Sequence, residues 1–392
     1  PLTSREIPTT TRLSNSRPPR RSPGWGIPLR LLLRLMVLGI GLGVLTGSAL
    51  RWFAPQVQRQ TLKLPSWLQL PETVEAETPV QNNNKPQTNP KPVVGRFQPT
   101  REIPELSARW RTIAATQKDL QASAYMLILD DGRFAQMHAD RPMPAASSIK
   151  TPVLLAALQQ VDAGDLHWNE PLVLTKDLVG GGAGWMASRP LGSRFPTRVA
   201  ATEMIRVSDN SATNLLIERV GGQQIINRRF QDLGLTATAV NNWLPDLDGT
   251  NTTSAHDLSR SIALVDTGEA LSLRSRDLFR EVMGSSVTNT LLPTGLMQGL
   301  GGAQGAPDST LASKGYRVYN KTGDIGIAYA DAGLIELPDG RRAVAGFLVK
   351  GPFNDPRSTN LIRALAAAMA PHLKPEPAPP RPTASPSQES TP

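Results

Sequence analysis

Apolar residues in this chain form one long early run, then a gap, then a region of short alternating and helical patterns. The early run extends from Leu31 through Leu50, broken by Arg34, and roughly 20 such residues suffice to span bilayer hydrocarbon. From Ala54 to about Thr100 apolar periodicity is missing, and the prolines and the polar run Gln81–Pro86 predict an extended linker. The patterned region runs from Ile103 to Leu373, after which residues 374–392 are Pro/Ser/Thr-rich and predict a disordered tail. Alternation and apolar runs predict strands at Ala124–Leu129 and Arg133–Met137, joined by the turn Asp130-Asp131-Gly132. Three more are expected at Tyr316–Lys321, Ala328–Leu337 and Arg342–Val349, the last two joined by Pro338-Asp339-Gly340. The run Pro152–Leu158 predicts a buried helix beginning near Ser147. Further helices are expected at Val199–Arg206, Ala212–Val220, Gln223–Leu233, Ser254–Thr267 and Ser358–Leu373. Strands at both ends of a helical middle predict an α/β (α+β) domain. Its antiparallel sheet is built from both ends of the domain and flanked by helices, beside a mostly helical lobe.

Charge sharpens the organisation. The chain of 392 residues carries a formal +9, but its first 34 residues hold seven arginines against one glutamate, Glu6. The excess therefore marks a basic arm at residues 1–30 ahead of a transmembrane signal-anchor at 31–53, not a nucleic-acid surface. Arginines before the apolar run place the arm inside and the rest of the chain outside, on the extracytoplasmic side of a bacterial inner membrane. A cleaved signal peptide, with Gly47 and Ala49 as small residues at the cleavage site, is the competing reading. The linker then covers 54–102, the patterned domain 103–373 and the tail 374–392. Cysteine is absent, which excludes disulfides and a cysteine nucleophile. The four histidines, His138, His167, His256 and His372, have no metal-ligand spacing, so no metal and no cofactor is expected.

Three polar clusters carry the chemistry. Ser147 and Lys150 lie three residues apart, one turn of a helix, where an amine kept neutral by burial or a nearby cation can take the serine proton. Ser208-Asp209-Asn210 precedes an apolar helix, and Lys321-Thr322-Gly323 ends a strand. Taken singly these read as a helix cap and a surface turn. In this order they resemble the S-x-x-K, S-D-N and K-T-G signature of the penicillin-recognising serine enzymes, the class A β-lactamases and related DD-peptidases. The resemblance covers nearly all of 103–373.

It implies Ser147 as the acylated nucleophile, Lys150 as its base and Ser208 as a proton relay to the leaving amine. Asn210 would hold the substrate amide, and Lys321 and Thr322 its carboxylate. Gly323 would keep the strand edge clear, and the N–H groups of Ser147 and Asp324 would form the oxyanion hole. In class A β-lactamases a glutamate in a W-E-P-E-L type stretch activates the deacylating water. The corresponding stretch here is Trp243-Leu244-Pro245-Asp246-Leu247, so Leu244 stands where that base is expected. The pattern is similar to cyanobacterial penicillin-binding proteins of the PBP-A type. The resemblance thus implies a D-alanyl-D-alanine peptidase acting on peptidoglycan stems, acylated by β-lactams and slow to release them. Two alternatives stay open: a β-lactamase using Asp246 or Asp248 as base, and a non-catalytic wall-binding or sensing domain.

Overall fold

The computed structural model describes residues 98–302 and 305–375. The arm, the apolar run 31–53, and most of the linker and tail lie outside the described residues. Among the described residues, no helix is long and apolar enough to cross a membrane.

The centre is a six-stranded sheet of β1 (Arg101–Glu102), β2 (Gln121–Ile128), β3 (Arg133–Met137), β4 (Arg317–Asp324), β5 (Ala328–Glu336) and β6 (Arg342–Lys350). Their spatial order is β1-β3-β2-β6-β5-β4. All neighbours are antiparallel except β1 with β3, so the sheet takes in Arg101–Glu102 from the end of the expected linker. The two ends of the domain meet at β2 and β6, where Ala124 stands opposite Phe347. Side chains alternate across a strand, and β2 shows it: Ala122, Ala124, Met126 and Ile128 enter one core while Tyr125 and Leu127 enter another. Both faces are covered, which is why this strand reads as a near-continuous apolar run.

On one face lie α1 (Pro104–Ala115), α8 (Leu292–Gly299) and α10 (Pro356–Met369). Trp110 of α1 stands edge-on to Phe347 at 5.8 Å and donates its indole N–H to the Leu365 carbonyl at 2.8 Å, locking α1 to α10. The other face carries α6 (Ala255–Asp266) and a helical lobe centred on α2 (Lys150–Ala163). Around α2 stand α3 (Thr197–Arg206), α4 (Asn210–Val220), α5 (Gly222–Asp232) and α7 (Leu273–Gly284).

Three local features depart from the sequence reading. The nucleophile turn Ala146–Ile149 is a 3-10 helix, and α2 proper starts at Lys150. Strand β4 runs past the expected end at Lys321, through Thr322 and Gly323 to Asp324. The last helix stops at Met369 and is followed by a 3-10 turn, Ala370–Leu373. Helices α1, α7, α8 and α9 (Pro307–Ser313) were not expected; α1 buries only Leu106, Ser107 and Trp110, too sparse a stripe to read as a period.

Candidate active site

Ser147 sits on the short 3-10 turn between the sheet edge and α2. The residue before it, Ala146, has φ 46°, a left-handed conformation that costs a Cβ-bearing residue free energy and that surrounding packing must hold. Strand β4 supplies that packing. A Cβ at Gly323 would lie 2.8 Å from the Ser148 nitrogen and 2.9 Å from both the Ser147 nitrogen and the Ala146 Cβ, so only glycine fits. The strand edge is thus kept clear for the nucleophile's own backbone.

Lys150 is fully buried at the start of α2. Its Nζ lies 3.0 Å from the Ser147 hydroxyl, 3.0 Å from the Ser208 hydroxyl, 2.6 Å from the Ser208 carbonyl and 2.8 Å from Asn210 Oδ1. The carbonyl and the amide oxygen only accept, so they take two N–H bonds, and a neutral amine then has its lone pair left for a serine proton. Burial holds the amine far below its ordinary value, the charge of Lys321 pushes the same way, and Asp209 opposes them. A neutral amine aimed at two hydroxyls is the arrangement of a general base.

Ser208 reaches Lys150 from a turn with φ 63°, a second left-handed serine-site residue held by its surroundings. Asp209 fixes that turn. Its carboxylate accepts the Ala212 N–H at 2.9 Å, capping α4, and the N–H groups of Trp185 at 2.7 Å and Met186 at 2.8 Å. Asn210 is buried; besides accepting from Lys150 it donates Nδ2 to the Gly181 carbonyl at 2.8 Å.

The opposite wall is β4. Ile325 N–H bonds back to the Ala328 carbonyl, so by alternation the Asp324 N–H faces the open edge of the sheet, on the side of the Ser147 turn. Thr322 donates its hydroxyl to that of Thr288 at 2.8 Å. Lys321 is buried behind this wall with Nζ 2.8 Å from the Thr322 carbonyl; burial lowers it to about 8. Its nearby acid, Asp331, is raised by burial to about 7 and accepts from Asn320 Nδ2 at 2.9 and 3.0 Å and from Leu292 N–H at 2.8 Å. Asp324 itself is exposed and accepts the Gly326 N–H at 2.8 Å.

A cavity of 280 Å³ opens beside Ser147, bounded by Ser208, Asn210, Thr322, Asp324 and Leu244. Leu244 is 5% exposed, and its backbone is clamped by Asn214, which accepts the Leu244 N–H at 2.9 Å and donates to its carbonyl at 2.8 Å. Asp246 also reaches the cavity, but its carboxylate accepts the Thr250 hydroxyl at 2.8 Å and the Asn251 N–H at 2.7 Å. Both oxygens thus serve the loop's own turn. Asp248 is exposed.

The structure therefore gathers Ser147, Lys150, Ser208 and Asn210 into one hydrogen-bonded cluster, with Thr322, Gly323 and Asp324 on the facing strand and Lys321 behind them. The sequence profile of the beta-lactamase enzyme family matches residues 105–373 of this chain. The chain belongs to that family. It is 38% identical to PBP-A over 71% of this chain and 98% of PBP-A, with a TM-score of 0.65. A leucine-to-glutamate mutant of PBP-A, seen as an acyl-enzyme complex with penicillin G, is likewise 38% identical over 70% of this chain and 98% of that one, TM-score 0.64. A β-lactamase of Streptomyces cellulosae is 26% identical over 286 residues, 69% of this chain and 86% of that protein. The fold matches the β-lactamase and PBP-A fold, and the family makes this a serine hydrolase of β-lactamase type.

Two residues of this family member's site escaped the sequence reading. Thr288 lies 34 residues before its partner Thr322, and no spacing connects them. Asp331 had a visible signal: it is the one charge in the interior of a strand whose only other charge is its last residue, Glu336.

Proposed function

We propose that this chain is a penicillin-binding serine D-alanyl-D-alanine peptidase acting on peptidoglycan stem peptides. One observation carries the reading: the cavity has a complete acylating cluster at Ser147 and Lys150, while Leu244 and the engaged Asp246 offer no carboxylate free to activate water. Ser147 Oγ attacks the penultimate D-alanine carbonyl as its proton passes to Lys150 Nζ. The Ser147 and Asp324 N–H groups receive the oxyanion. Ser208 carries the proton to the leaving D-alanine nitrogen as the peptide bond breaks, leaving an ester on Ser147. Water or an amine then releases the acyl group, as carboxypeptidase or transpeptidase.

A β-lactam enters by the same attack and its ring nitrogen takes the proton. Its leaving group stays attached, so release needs water, and a leucine at position 244 cannot accept a proton from it. The family likeness to PBP-A supports this reading. So does the apolar run 31–53, which with its linker would hold the domain on the outer face of the inner membrane, where peptidoglycan is assembled.

The deciding experiment labels the full chain with fluorescent penicillin beside Ser147→Ala and follows the adduct for hours. An adduct that persists and is absent from the variant is expected. Its loss within seconds would make the chain a β-lactamase with another base, and no adduct at all would favour a wall-binding or sensing domain.

A further inference from the structure

Substrates of the proposed kind end in a carboxylate, and the described residues lining the cavity include no lysine and no arginine. Lys321, a cation of that wall, is 1% exposed, and its Nζ is turned to the Thr322 carbonyl. Direct contact must therefore come from uncharged donors. Among the described residues, only two hydroxyls line the cavity away from the serine cluster, those of Thr322 and Thr288, and they touch each other at 2.8 Å. Thr288 is not held by chance. Its carbonyl accepts Asn320 Nδ2 at 3.0 Å, and the same amide group donates to both oxygens of the buried Asp331. Ser286 Oγ lies 3.2 Å from the Thr288 hydroxyl on its other side. The backbone of Thr288 is thus tied to β4 and β5 through one side chain, and its hydroxyl is fixed beside Thr322.

We propose that Thr288 is a substrate-binding residue: with Thr322 it forms a two-hydroxyl clamp for the substrate carboxylate, Asn320 and Asp331 positioning it from behind. In the free site one hydroxyl proton is shared between the two threonines. When a carboxylate arrives, each hydroxyl turns its proton to one oxygen, and Lys321 supplies attraction from behind the wall without contact. Two threonines take the place of an arginine fork. The clamp rests on the acylating site proposed above.

The test compares second-order acylation rates of the full chain with benzylpenicillin and with its methyl ester, which lacks the charge. Thr288→Val, close in shape, is expected to slow the free acid about 10-fold, in line with one lost hydrogen bond to a charged acceptor, and to leave the ester within about twofold. Thr288→Ser is expected to restore the acid rate. Equal slowing of acid and ester would make Thr288 a packing residue and overturn the clamp, as would no slowing of either. If the unaltered chain is acylated by neither compound, the peptidase reading itself falls and takes the clamp with it.

Discussion

Two buried lysines flank this site, Lys150 inside the serine cluster and Lys321 behind the β4 wall, and they are prepared for opposite tasks. Lys150 is surrounded by four oxygens, two of them hydroxyls able to give it a proton, and burial is reinforced by the positive charge of Lys321. Lys321 has one carbonyl in reach and a buried acid, Asp331, that resists its loss of charge, so it settles at about 8. Similar burial therefore yields a neutral base on one side and a cation near neutral pH on the other. The difference lies in what stands within Coulomb range: for Lys150 the cation Lys321 outweighs the carboxylate of Asp209, while Lys321 has the carboxylate of Asp331. Lys150 also depends on Lys321, whose charge helps keep it neutral.

The sharpest way to break this contrast is to exchange each lysine for a cation that cannot be neutral. Lys150→Arg should lower penicillin acylation by about 10³-fold, because a guanidinium does not take a proton, while Lys321→Arg should cost only a few-fold. Comparable losses in stopped-flow acylation would show that the two lysines are not differently used. Next in size, Gly323→Ala pushes a methyl into the backbone of the Ser147 turn and should slow acylation about 100-fold, through a displacement near 1 Å. An unchanged rate with a lowered melting temperature would mean that the turn tolerates the shift.

Leu244→Glu should speed release of bound penicillin about 10-fold, less than the 10²–10⁴-fold of a well-placed base. The shortfall is expected because the side chain at this position is buried and would hold a carboxyl partly protonated. An acyl-enzyme lifetime unchanged by intact-mass measurement would assign the slow release to loop geometry. The smallest effect is in pH. Acylation by benzylpenicillin should fall on the acid side as Lys150 takes a proton, and again as pH rises through about 8 and Lys321 loses its charge. The methyl ester should lack the alkaline limb. An identical profile for acid and ester would remove Lys321 from carboxylate attraction.

Legibility in the sequence followed distance along the chain. Ser147 and Lys150 could be paired by reading alone because one turn of helix brings them together, even though that turn proved to be 3-10. The two halves of the sheet were visible as near-continuous apolar runs, since β2, β5 and β6 are buried on both faces. Hidden were contacts made by folding distant polar residues together: Thr288 against Thr322, Asn214 against Leu244, Asp209 against Trp185 and Met186. Single hydroxyls and amides have no period, so only the fold shows whom they meet. The same holds for Asp246, which by sequence was a candidate base and in the structure ties its own loop.

The strand order has a consequence for timing. By Asp324 the chain has presented every residue of the acylating cluster, yet within the sheet β4 pairs only with β5, β5 pairs next with β6, and β6 is what pairs with β2 from the start of the domain. A growing or truncated chain that stops short of Arg342 therefore has its chemistry written but nothing rigid to mount it on. Pairing between such remote segments is late and cooperative. Competence is therefore expected with the last strand, and not with the last residue of the cluster.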